Sequence, residues 1–397
     1  MNILPILSPL LVFGLVVFVH ELGHFLAAKA VGIYAPVFSL GWGRRVWGRR
    51  RGETDYRLSL FPIGGYVRMA SREDEAMAAF EGGGDRGDLA GDAAAPKGEP
   101  GVPWDPEALV PFGPKGVPSN RWFESKPLWA KLVVLLAGVT MNFLLAIVVI
   151  SALRMTAGVA SPSPVIGTIV AGMPAEQAGL AAGDSVVAIA GTPIAVWTDL
   201  TGLVSTQPGV PLQIDVIRGG TARSITVTPR TVVDTNPETG VARTLGRIGA
   251  GGSRVQLGPI DALSEGVSST WGIVVATVDV LGGLMTGRVS PKQLGGPLMI
   301  AQASVQTAQA GGLEAVLGLL ALISVNIAVL NLLPVPVLDG GQVVLALLES
   351  ARGKPLGERA KGIVMYAGVG LVLLLLVTTT FNDLARIGSQ VLGYFRG

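Results

Sequence analysis

The apolar run from Leu4 to Val31 constrains this chain more than any other stretch, because His20, Glu21 and His24 lie inside it. As a helix it is long enough to cross a hydrocarbon core about 30 Å thick. A secretory signal has a basic start and a shorter apolar core. This run has neither, so residues 1–33 are expected to form a retained spanning helix. Three later blocks have the same character: Leu132–Leu153, Leu313–Leu333 and Ile363–Phe381. Only 15% of the residues are charged, against about 25% in soluble domains. The expected architecture is a polytopic α-helical membrane protein of about four spans.

The blocks divide the chain. The second span is expected within 131–156, the third within 313–350, and the fourth with a tail in 351–397. Gly266–Met285 is apolar but carries Asp279. It is read as an interfacial helix in a connecting segment, 232–312, in preference to an extra span. An extra span would put the chain ends on opposite sides. Lysine and arginine favour the inner face. Arg44, Arg45, Arg49, Arg50 and Arg51 open one loop, and Arg121, Lys126 and Lys131 close it. Arg352, Lys354, Arg359 and Lys361 occupy another. Both loops are therefore expected inside, with both termini and the middle domain outside.

Two non-membrane features stand out. In 34–130, Tyr56–Leu60 alternates apolar and polar residues, Phe61–Gly65 interrupts, and Tyr66–Met69 resumes. That predicts a membrane-associated β-hairpin. Ser71–Pro118 is rich in Gly, Ala, Pro, Asp and Glu, a composition expected of a mostly disordered linker. In 157–231, short β-type runs (Val165–Val170, Ser185–Ala190, Leu212–Ile217, Ser224–Val227) surround a helix-like Ala175–Gly179, which predicts one inserted α/β domain.

There is no cysteine, which excludes disulfides, thiolate metal sites and thiol nucleophiles. A net charge of +2 with no basic stretch interleaved with aromatics gives no reason to expect nucleic acid. The two histidines lie in His20-Glu21-Leu22-Gly23-His24. Four residues apart on a helix, they share a face and can hold one metal ion, with Glu21 placed as general base. Ionisable groups in a spanning helix are costly and normally functional. The plain alternative is a polar contact between helices. A catalytic zinc usually takes three protein ligands, and the third here must be a carboxylate or an amide. Asp339 stands out, after a proline-broken stretch at the end of the third block, although a solvated juxtamembrane aspartate would look the same.

The chain resembles the site-2 proteases, specifically the bacterial regulator of sigma E protease branch. The matching pieces are Phe18–Phe25, Arg57–Leu60 with Gly64–Val67, and Asn331–Pro334 through Leu338–Gly341. The resemblance covers essentially the whole chain. It implies Zn2+ held by His20, His24 and Asp339, Glu21 as catalyst, and a bacterial inner membrane location with the middle domain periplasmic. Asn142 matches a family asparagine, while the usual proline after Gly138 is Val139 here. The middle domain resembles a bacterial PDZ domain.

The expected reaction is hydrolysis of a peptide bond in or near a transmembrane segment. Expected substrates are single-span membrane proteins trimmed first by another protease. The hairpin, with Gly65 and Tyr66, can receive an unwound segment as an added strand, or act as an interfacial anchor. Asn331 can hold substrate backbone, or bond a neighbouring helix. Ile166 and Gly167 are expected to border a groove that takes a protein tail by strand addition. The rival from another class is a membrane adaptor without catalysis. A metal transporter would need several intramembrane sites, and the sequence offers one cluster.

Overall fold

The computed structural model describes residues 3–71, 105–235, 242–290 and 295–396. The chain divides into two compact units. One comprises Met1–Ser151 with Leu263–Gly397, and the other is Ala152–Ala262.

The first unit is built on long helices. α1 runs Leu4–Ala30, with Pro5 in its first turn, where the missing N–H costs nothing. α2 runs Leu128–Thr156. The two cross closely at Gly23, where a β-carbon would lie 2.5 Å from the Ala137 carbonyl oxygen. Small residues allow such approaches between membrane helices. Val12 and Val16 of α1 pack in one core with Ala308, Val316, Leu320 and Ile323.

The hairpin differs from the expected one. β1 is Val37–Arg51 and β2 is Thr54–Arg68, turning at Gly52 with φ +63°. Tyr56–Leu60 does not pair with Tyr66–Arg68. Val37–Leu40 lies between them, in register with Asp55–Leu58 and also with Gly65–Arg68. The Val37–Arg51 strand was hidden in the sequence by its run of arginines. One of them, Arg45, pairs with the fully buried Asp55, which is why a charged strand forms there. Gly65–Arg68 is left at the sheet edge among the described residues.

Part of the predicted linker, 72–104, lies outside the described residues. Its remainder is packed, not disordered. Val110 and Val117 are buried with Tyr34 and Ala70, and the Arg50 guanidinium lies over the Phe112 ring.

The other elements of this unit complete the helical count. Pro259–Met285 is one continuous helix. Pro297–Asn331 is broken at Gly312 (φ 60°, ψ −149°), so the span expected from Leu313 begins just after a kink. The segment expected as one third span continues after a turn as a separate helix, Asp339–Arg352, and the last helix is Glu358–Arg396. Among the described residues, five helices are long and apolar enough to cross a membrane, one more than the four expected. The additional one is Pro259–Met285. Asp261 and Glu265 lie in its first two turns, and the apolar stretch after them carries one acidic residue, Asp279. Ile273, Val274 and Leu281 pack against Ala146 and Val325, and the Thr277 hydroxyl donates to Asn326 Oδ1 at 2.7 Å.

The second unit contains β3 (Val159–Ala160), β4 (Ile166–Ile169), α3 (Pro174–Gln177), β5 (Ser185–Ile189), β6 (Thr192–Pro193), α4 (Trp197–Ser205), β7 (Leu212–Arg218) and β8 (Thr221–Val227). All four β-type runs read from the sequence form strands. β9 (Arg230–Thr235), β10 (Ala242–Arg247), β11 (Ala250–Gly252) and β12 (Arg254–Val255) follow. The main sheet has the order β6-β5-β7-β8. Ile166, Leu180, Ile189, Leu212 and Ile214 form its core. β11 pairs with β4, and β12 with β3. The helices named last in the first unit are α5 (Pro259–Met285), α6 (Pro297–Asn331), α7 (Asp339–Arg352) and α8 (Glu358–Arg396).

Candidate metal centre

α1 carries His20 and His24 on one face, both buried. Their Nε2 atoms lie 3.1 Å apart. Asp339 Oδ2 is 3.2 Å from His20 Nε2 and 3.5 Å from His24 Nε2. Among the described residues these three form a group able to hold a metal ion. Zinc bonds to nitrogen and oxygen are about 2.0–2.2 Å, so neighbouring corners of a tetrahedral zinc site are roughly 3.3 Å apart. The three separations fit that spacing. Asp339 Oδ2 is buried and makes no hydrogen bond, as suits an atom whose partner is a cation. The donor set of two imidazoles and a carboxylate fits zinc.

Asp339 reaches this point because α6 stops at Asn331 and the chain turns through Leu332–Leu338. A β-carbon on Gly340 would lie 2.2 Å from the Leu332 oxygen, and one on Gly341 2.0 Å from the Val335 oxygen. The Gly-Gly pair lets the turn fold onto the start of α7. Asp339 is the first residue of α7, where the helix dipole favours an anion.

The rings are held from behind. His24 Nδ1 is 2.8 Å from the Val134 carbonyl oxygen, which fixes Nδ1 as a donor and leaves Nε2 to face the metal position. Asn142 Nδ2 lies 3.3 Å from His20 Nδ1, and Asn331 Nδ2 3.3 Å from His20 Nε2. Both asparagines singled out from the sequence thus converge on His20. Glu21 accepts a hydrogen bond from the Val67 backbone amide. Its Cγ would be 3.5 Å from a β-carbon on Gly65. Tyr66 sits in the same edge segment, in register with Ser39.

Gly138 escaped the sequence reading as a site residue. A β-carbon there would lie 2.4 Å from His24 Nε2 and 2.8 Å from His20 Nε2. A glycine four residues before Asn142 on the facing helix was the available signal.

The sheet is tied to the last turn of α1 and to Arg121. Glu53, beside the β1–β2 turn, accepts both Nη atoms of Arg121 at 2.7 and 2.8 Å, and it also pairs with Lys29. The Arg121 and Lys29 hydrogen bonds hold its carboxyl down to about 2, against the opposing effect of partial burial.

Ile166 and Gly167 lie in the second unit and do not present an open edge. Ile166 and Thr168 pair with Gly252 and Gly251 of β11. A β-carbon on Gly167 would be 2.5 Å from the Gly252 oxygen. The groove expected beside these residues is filled by the chain's own strand, which arrives from a segment the sequence reading left outside the domain.

The profile of peptidase family M50 matches residues 8–375. A Rhizobium meliloti protein with the provisional name zinc metalloprotease is 35% identical, the alignment covering 94% of this chain and 95% of that protein. The regulator of sigma-W protease RasP of Bacillus subtilis is 30% identical over 96% of this chain and 98% of its own length. The metalloprotease MmpA of Caulobacter vibrioides is 30% identical, covering 97% and 96%.

Proposed function

Since this chain belongs to peptidase family M50, and is a zinc metalloprotease as its relatives are, we propose that it cleaves peptide bonds of membrane proteins at the His20–His24–Asp339 centre. The observation that carries the reading is the 3.1–3.5 Å triangle of Nε2, Nε2 and Oδ2 beside Glu21. When bound, zinc supplies Lewis acidity to the scissile carbonyl and acidifies water. Glu21 takes the proton from the attacking water and passes it to the leaving amine nitrogen, while hydroxide oxygen joins the carbonyl carbon. The Val67 amide holds the carboxylate in place. Asn331 donates toward the carbonyl oxygen as charge develops there.

A helical substrate hides its scissile carbonyl in backbone hydrogen bonds, so it must unwind first. The edge segment Gly65–Arg68 is suited to take the unwound strand, with Gly65 allowing close approach to Glu21. Substrates are single-span proteins of a bacterial inner membrane, such as anti-sigma factors or signal-peptide remnants. The Bacillus relative's name ties it to a sigma factor. The basic loop between α1 and α2 belongs inside, and the second unit, read as a PDZ-like domain, belongs outside with the N-terminus. There it excludes substrates with large outer domains until another protease trims them.

The test uses purified full-length protein in liposomes with two substrates that differ in the size of the outer domain. The expected outcome is cleavage of the short form, slow cleavage of the long form, and none of either by Glu21→Gln. Equal cleavage by Glu21→Gln would contradict the assignment of the base.

A further inference from the structure

We infer that Asn142 sets which nitrogen of His20 faces the metal, by accepting a hydrogen bond from His20 Nδ1–H. This makes it a positioning residue and not a substrate contact; the inference rests on the ligand set proposed above. Asn142 is 0% exposed. Its backbone carbonyl accepts from Ser324 Oγ at 2.9 Å, which ties that part of α2 to α6. Its Nδ2 lies 3.3 Å from His20 Nδ1, and its Oδ1 has no hydrogen-bond partner.

The chemistry follows from counting protons. A neutral imidazole carries one N–H. In one neutral tautomer the proton sits on Nε2, 3.2 Å from Asp339 Oδ2, and Nδ1 then accepts from Asn142 Nδ2. With metal, Nε2 must be bare, so the proton resides on Nδ1. An amide nitrogen facing that N–H would set donor against donor. A carboxamide has nearly the same shape when its two ends are exchanged. Turning it over places the otherwise unpartnered Oδ1 against Nδ1–H and removes the conflict, leaving the NH2 group in the former place of the oxygen. An asparagine thus serves both forms of His20. His24 needs no such device, because the Val134 carbonyl at 2.8 Å only accepts. The two ligating rings are held by different means, one fixed and one reversible.

The chain has two histidines, so 15N-histidine labelling gives a spectrum that can be assigned. The full-length protein in detergent micelles, loaded with zinc alone, is compared with Asn142→Leu and Asn142→Asp. Zinc affinity is read by chelator competition, and the ring nitrogens by NMR. The expected wild-type spectrum shows a protonated, slowly exchanging Nδ1 on His20. Asn142→Leu should lose that slow exchange and bind zinc about 10–100-fold more weakly. The His24 signals should stay unchanged, which reports an intact fold. Asn142→Asp supplies an acceptor only, and should retain both the slow signal and near wild-type affinity. An unprotonated His20 Nδ1 in the zinc-loaded wild type overturns the inference even if the leucine variant does not fold. So does an aspartate variant as weak as the leucine one. A wild-type protein that takes up no zinc overturns the ligand set itself.

Discussion

The backbone amide of Val67 hydrogen-bonds the carboxylate of Glu21, so the sheet proposed to take substrate also orients the proposed base. Val67 lies in the edge segment, and its amide is directed at Glu21. Proline is tolerated on strand edges, so Val67→Pro should keep the sheet while removing that donor. The expected result is normal zinc content with kcat lowered at least about tenfold, as for a misdirected general base. Unchanged turnover would show that Glu21 is held by something else.

Glu53 gives the sheet a pH dependence. Its carboxyl sits near 2 in the folded protein, below the ordinary value, so it is ionised in both folded and unfolded chains near neutrality. The stabilisation from Arg121 and Lys29 is complete above about pH 5. It fades as the pH falls toward 2, where the folded form also protonates. Hydrogen exchange of the β1–β2 amides should therefore quicken across that window. In Glu53→Gln the same amides should exchange faster at neutral pH and lose this part of the pH dependence.

Gly138→Ala places a methyl group where the metal-facing nitrogens converge. A β-carbon 2.4 Å from His24 Nε2 cannot be accommodated without moving the ring. Elemental analysis should find the variant largely free of zinc, although its helix content matches wild type. Full zinc occupancy would mean that α2 can move away from α1 at little cost.

Four of the five long helices, and His20, Glu21 and His24 on the first of them, were legible in the sequence. His20, Glu21 and His24 declare themselves because ionisable groups do not enter a spanning helix casually. Asp339 could be suspected from the prolines before it, but the turn that carries it back to α1 depends on contacts of Gly340 and Gly341 with Leu332 and Val335. No periodicity encodes such contacts. The sheet was misread because pairing is non-local. Tyr56–Leu60 and Tyr66–Met69 have the right alternation, yet Val37–Leu40 comes between them. Likewise β11 fills the edge at Ile166–Gly167 from outside the expected domain. One practical consequence follows for truncations. Removing Pro164–Arg230 would leave β11 without β4, whereas cutting between Ser161 and Ser253 keeps the β3–β12 ladder whole.

Asp383 of α8 supplies the N-terminal cap of α6. It is 2% exposed, and its carboxylate accepts from the Gly296 and Met299 amides at 3.0 Å each. Gly296 has no room for a β-carbon, which would lie 2.7 Å from Asp383 Oδ2. Asp383→Ala should cost about 1–2 kcal/mol, as loss of a capping side chain does. Thermal unfolding in detergent should report a lowered midpoint, with Asp383→Asn intermediate. A midpoint equal to wild type would show that the α6 terminus is held without this cap.

X-ray absorption at the zinc edge of the purified protein tests the central claim most directly, because the chain has no cysteine and two histidines. The account predicts four light N/O neighbours at about 2.0–2.1 Å, with the scattering signature of two imidazole rings, which can come only from His20 and His24. In Asp339→Ala the zinc content should fall. A zinc signal with one imidazole or none would contradict the assignment of the centre.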